Sequence, residues 1–175
     1  MKGAGRVAGQ GRAGLLYLVL LLSLTACQQT PRDPGQAFWN GDFQTAMAMW
    51  RVRAEAGDTA AQTWLGNLYY LGWGVQRDYG KALQWYRRAA LRGNPYAQRN
   101  LGMMHEYALG VPENRMLAFG WYHEAKKGGN HMARRYLQSL GERITPNASL
   151  KGRALVTAAL RHARGGVPGQ SQQTN

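Results

Sequence analysis

Laid over itself with a shift of 36 residues, the chain repeats. Gly57 to Arg92 falls on Gly93 to Gly128, and identical residues meet at Gly57/Gly93, Ala61/Ala97, Gln62/Gln98, Leu65/Leu101, Gly66/Gly102, Gly74/Gly110, Val75/Val111, Ala82/Ala118, Trp85/Trp121, Tyr86/Tyr122 and Ala89/Ala125. Chance at ordinary composition gives about two or three such matches. The register runs on in both directions. Asp42, Ala46, Trp50 and Ala54 match Asp78, Ala82, Tyr86 and Ala90 upstream, and Gly129, Asn130, Ala133 and Leu137 match Gly93, Asn94, Ala97 and Leu101 downstream. A unit this short cannot bury an apolar face alone, so periods of about 20 to 50 residues belong to stacked architectures.

Within one period the apolar residues set the local structure. Ala61, Leu65, Leu68 and Tyr69 recur at three- and four-residue steps, and so do Ala82, Leu83, Trp85, Tyr86, Ala89 and Ala90, which predicts two helices per unit. The joints agree: Asp58, Asn94 and Asn130 stand as N-caps, each after a glycine (Gly57, Gly93, Gly129) suited to a left-handed helix end. Pro95 fits the first helical position after the second joint. Gly72-Trp73-Gly74-Val75 and Ala108-Leu109-Gly110-Val111 predict the inner turns, with Asp42, Asp78 and Asn114 capping the second helices. Each unit is expected to be a helical hairpin.

Ala61, Leu65-Gly66, Tyr69, Gly72, Gly74-Val75, Asp78, Lys81-Ala82, Trp85-Tyr86, Ala89-Ala90 and Gly93 resemble a full Sel-like repeat, a subgroup of the tetratricopeptide-type helical repeats. The second copy departs from the pattern at His105 and Ala108, and the third loses its glycine-valine turn. The resemblance spans Gln36 to Arg143 and implies an all-α, short right-handed α-solenoid. A final helix around Leu150 to Arg164 is expected to cap the stack through Leu150, Ala154, Leu155, Ala158 and Ala159. The domain layout follows: a leader at 1–26, a tether at 27–35, the solenoid at 36–164 and a tail at 165–175.

The leader rests on Lys2, Arg6 and Arg12 ahead of the apolar run Leu15 to Leu24, too short for a spanning helix of about 20 residues. Leu24-Thr25-Ala26-Cys27 resembles the bacterial lipobox, which implies cleavage before Cys27, a diacylglyceryl thioether on its sulfur and an acylated amino group. Two or more buried chains anchor durably where one does not. With Gln28 after the cysteine, the expected location is the cell envelope, on the periplasmic face of an outer membrane. Loss of residues 1–26 leaves 19 basic against 9 acidic residues, a balance of +10 instead of +13. In an exported lipoprotein that charge points to anionic lipid, glycan or acidic protein partners and not to nucleic acid.

No catalytic constellation emerges. His105-Glu106 and His123-Glu124 begin like a zinc-protease signature, but Leu109 and Lys127 stand where the second histidine belongs. Serine-nucleophile and phosphate-loop signatures are missing too. The single cysteine excludes an intramolecular disulfide or a thiolate metal cluster. No cofactor or metal site is expected, and the chain reads as a non-enzymatic scaffold for a protein or peptide partner. The alternative is an anionic or glycan envelope polymer held by the basic second-helix surface at Arg87, Arg88, Lys126 and their neighbours. In tetratricopeptide-like stacks the first helix of each hairpin lines the concave side. The groove is therefore expected at Thr63, Asn67, Tyr70, Arg99, Met103, Glu106, Arg135 and Ser139.

Overall fold

The computed structural model describes residues 33–165. The leader at 1–26, Cys27, the tether as far as residue 32 and the tail from 166 onward lie outside the described residues. Among the described residues eight helices follow in order: α1 Pro34–Trp39, α2 Phe43–Glu55, α3 Thr59–Leu71, α4 Tyr79–Leu91, α5 Pro95–Glu106, α6 Arg115–Lys127, α7 His131–Gly141 and α8 Pro146–Gly165. Pro34 and Gly35, expected in the tether, open α1 after the N-cap Asp33. The hairpins α3/α4 and α5/α6 are the two full units. They are preceded by the shortened pair α1/α2 and followed by α7, a first helix without a second helix in register.

Local chemistry places the starts of the repeat helices. Asp58, Asn94 and Asn130 each accept from backbone N–H groups of the first turn they cap, and Asp42, Asp78 and Asn114 do the same for the second helices. Such a cap contributes about 1 kcal/mol. Gly57, Gly93 and Gly129 take φ of 95°, 89° and 91°, where a Cβ would be strained. Gln62 and Gln98 staple each hairpin to the one before, donating to Ala54 O at 2.9 Å and Ala90 O at 3.1 Å.

Alanine and glycine let the helices close on tyrosine. Ala82, Ala89, Ala97, Ala118 and Ala125 are fully buried, with Tyr86 and Tyr122 among them. A Cβ on Gly66 would overlap the ring of Tyr86, and one on Gly102 the ring of Tyr122. The repeated glycine thus exists to admit the repeated ring at interior packing density.

The two ends close differently. At the start of the stack Phe38 meets Phe43, Trp50, Trp64 and Trp73, and the Trp50 and Trp64 rings stack 4.8 Å apart. At the far end α8 lies along α6 and touches α4. Its face differs from the expected one: Leu150, Ala154, Leu155, Ala158 and Ala159 are exposed, while Gly152, Val156 and Leu160 are buried. The reason is backbone proximity. A Cβ on Gly120 would overlap Gly152 O, and one on Gly152 would overlap Met116 O. Glycine facing glycine allows a closer crossing than leucine would, and that contact decides which face turns inward.

Candidate functional site

The first helices α3 and α5 present a stripe at three- and four-residue steps that stays open between hairpins. Ala60, Thr63, Trp64 and Asn67, with Asn94, Tyr96, Arg99 and Asn100, line a recess of about 380 Å³. A second recess of about 280 Å³ adjoins it, lined by Asn67, Tyr70, Leu71, Tyr86, Arg99, Asn100, Met103 and Tyr136. The two share Asn67, Arg99 and Asn100, so they form one continuous surface across two hairpins and onto α7. No acidic residue lines either recess, and Arg99 is the single charged side chain in both.

A hydrogen-bonded chain runs through the shared residues. Tyr86 Oη donates to Asn67 Oδ1 at 2.8 Å, and Asn100 Nδ2 donates to the same oxygen at 3.2 Å. Arg99 donates through Nε and Nη2 to Asn100 Oδ1, at 3.2 and 2.8 Å. Burial pushes the Tyr86 phenol well above its usual range, so it remains a donor at any physiological pH. The acceptor oxygens of both amides are thereby occupied from within the protein. Donor capacity remains beside the recess: the Asn67 Nδ2 amide makes no hydrogen bond among the described residues, and Arg99 Nη1 donates only to the weak acceptor Met132 Sδ, at 4.0 Å.

Of the expected groove residues, Thr63, Asn67, Tyr70, Arg99 and Met103 stand together in these recesses. Thr63 is buried and spends its hydroxyl on Thr59 O at 2.8 Å. Arg135 and Ser139 are exposed on α7 and line neither recess. Glu106 is placed differently from the expectation. Its side chain is 3% exposed, accepts from Tyr122 Oη at 2.8 Å and forms an ion pair with Arg143. It answers a local need: Tyr122 repeats Tyr86, but Met103 stands where the first hairpin has the acceptor Asn67, so a carboxylate one turn later accepts the phenol.

Sequence reasoning passed over one column of the repeat. Trp64, Asn100 and Tyr136 occupy the same position at successive periods and all line the surface. The signal was the helical step itself, since Ala60, Thr63, Trp64, Asn67 and Leu71 follow an i, i+3, i+4, i+7, i+11 stripe.

His105 lies elsewhere, on a recess of about 340 Å³ with Leu83, Leu101, Val111 and Trp121, in the register of Tyr69. Its Nδ1 is buried without a partner, and burial lowers its pKa from 6.5. Among the described residues no group of three or more His, Cys, Asp or Glu could hold a metal ion.

A family model described as Sel1 repeat matches residues 59–94 and 95–130, the two hairpins that build this surface. Among solved structures, that of a Sel1 repeat protein from Oxalobacter formigenes is 38% identical at a TM-score of 0.55, over 59% of this chain and 82% of that one. That of a protective antigen present in uropathogenic Escherichia coli strains, displaying an SLR fold, is 25% identical at a TM-score of 0.66, over 81% of this chain and 32% of that one. No curated protein sequence matches the chain.

Proposed function

Because the chain belongs to the Sel1 repeat family, whose members typically serve as protein-interaction scaffolds, we propose that it is a membrane-anchored, non-enzymatic scaffold that binds a protein or peptide partner of the cell envelope on its first-helix face. The observation that carries this reading is the donor-rich surface around Asn67, Asn100 and Arg99. An extended peptide offers a row of carbonyl acceptors, and the open donors here match them. Trp64, Tyr70, Tyr96 and Tyr136 supply the aromatic contact area that dominates interface energetics, and Arg99 supplies the cation for a carboxylate. Anchoring rests on the lipobox resemblance at Leu24 to Cys27, and Cys27→Ser is expected to turn attachment that only detergent reverses into attachment that high salt removes.

The test starts with crosslinking in intact envelopes to identify the partner. Tyr70→Ala combined with Arg99→Glu is expected to weaken capture at least tenfold with helical content unchanged, as two interface anchors of this type carry about 1 kcal/mol or more each. Unchanged capture by that variant, together with loss on changing Arg87, Arg88 and Lys126, would move the site to the basic second-helix surface.

A further inference from the structure

The face of α8 richest in apolar residues has no partner among the described residues. Leu150 and Leu155 are 60% and 53% exposed. Ala154 and Ala158 are exposed between them, while Gly152, Val156 and Leu160 do the docking. Lys151, Arg153, Arg161 and Arg164 border this ridge, and none of the 20 residues from Pro146 to Gly165 is acidic. On the side toward α6, a recess of about 420 Å³ takes in Leu150, Ala154, Ala158, Arg153, Arg161 and Lys127. Its one acidic side chain, Glu124, pairs with Lys127 at 3.2 Å, which leaves Arg153 and Arg161 uncompensated.

Charge decides what can cover such a face. A second copy would oppose the same cations and be repelled. The recess beside Leu150, Ala154 and Ala158 is lined by Lys127, Arg153 and Arg161, so what enters it must bring negative charge. Exposed leucines flanked by cations on one helix are what an interfacial helix needs to rest in the headgroup layer of an anionic bilayer. We propose that α8 lies on an anionic phospholipid surface, with Leu150 and Leu155 entering the headgroup layer and lipid phosphates meeting Arg153 and Arg161 in the recess between α6 and α8. This surface is separate from the first-helix face on α3, α5 and α7, and it requires no lipid on Cys27.

Residues 33–165 contain the whole described core, so the chain from Asp33 to Asn175 is tested without the apolar leader. It is sedimented with vesicles of phosphatidylcholine alone or of equal parts phosphatidylcholine and phosphatidylglycerol. Binding is expected to the mixed vesicles, and to weaken about fivefold for each cation removed, so roughly 25-fold for Arg153→Gln with Arg161→Gln. Leu150→Ser with Leu155→Ser should also weaken it, at unchanged circular dichroism because both side chains are exposed. Arg53→Gln with Arg134→Gln, the same charge change on α2 and α7, should lose much less. Equal binding to both vesicle types, equal losses in the two arginine pairs, or displacement from vesicles by millimolar glycerol phosphate would overturn the proposal, the last by revealing a small-anion site.

Discussion

The two full hairpins share a period and a core, yet each satisfies its buried tyrosine in its own way. In the first, Tyr86 donates to the neutral amide of Asn67, which also takes a bond from the next hairpin. In the second, Tyr122 donates to Glu106, whose charge is balanced by Arg143 from beyond α7. Burial above all, and then the Glu106 carboxylate, raises the Tyr122 phenol far above its usual range. The difference teaches that the repeat fixes a requirement, a hydrogen-bond acceptor under each ring, and leaves its chemistry free. Where the acceptor is an amide, the same residue can face the recess; where it is a carboxylate, it is locked into the core.

The largest effect should come from breaking the charged solution. Arg143→Ala leaves Glu106 charged and uncompensated, and is expected to cost about 3 kcal/mol in chemical denaturation. Its counterpart Asn67→Ala strips a neutral acceptor from Tyr86 and is expected to cost about 1 to 1.5 kcal/mol. The comparison is wrong if the order of the two losses reverses.

A smaller and opposite effect sharpens it at the inner turns. Gly72 has φ 75° as the left-handed C-cap of α3, and the aligned Ala108 is held at φ 54°, the one non-glycine in that region among the described residues. Left-handed backbone costs an alanine about 1 kcal/mol, partly offset by the greater freedom glycine gives the unfolded chain. Ala108→Gly should therefore raise stability by about 0.5 kcal/mol, read as a higher denaturation midpoint at constant slope.

The smallest effect depends on pH. The unfolded imidazole of His105 takes up its proton near pH 6.5 and the folded one only below that, because burial disfavours the cation. Stability from the neutral ring is complete above about 6.5 and is lost as pH falls through the folded value. His105→Tyr, which restores the residue of the first hairpin, should flatten that acid loss. It should not abolish it, since burial lowers His123 as well.

What was legible in the sequence depended on range. Caps and turn glycines act within three or four residues, so Asp58, Asn94, Asn130 and Gly74 announced their roles unaided. The placement of α8 was hidden because the face with more leucine and alanine is the outward one. The inward face depends on Gly152 meeting Gly120, a contact no apolar count registers. Glu106 departs from the groove for a related reason: its spacing fits the stripe, but its engagement with Tyr122 and Arg143 arises only when three elements come together. The open surface is half legible, since Asn67, Tyr70, Arg99 and Met103 follow the stripe, while Trp64, Asn100 and Tyr136 join it only once neighbouring hairpins stack.

The claim that recognition belongs to the first-helix face is tested most directly by photo-crosslinking in intact cells. A photoreactive amino acid is placed in turn at Tyr70, at Met103 and at Arg88 on the second-helix side. Adducts with one partner from positions 70 and 103, and none from 88, are the predicted result. The same partner captured from 88 and from neither groove position would contradict the account.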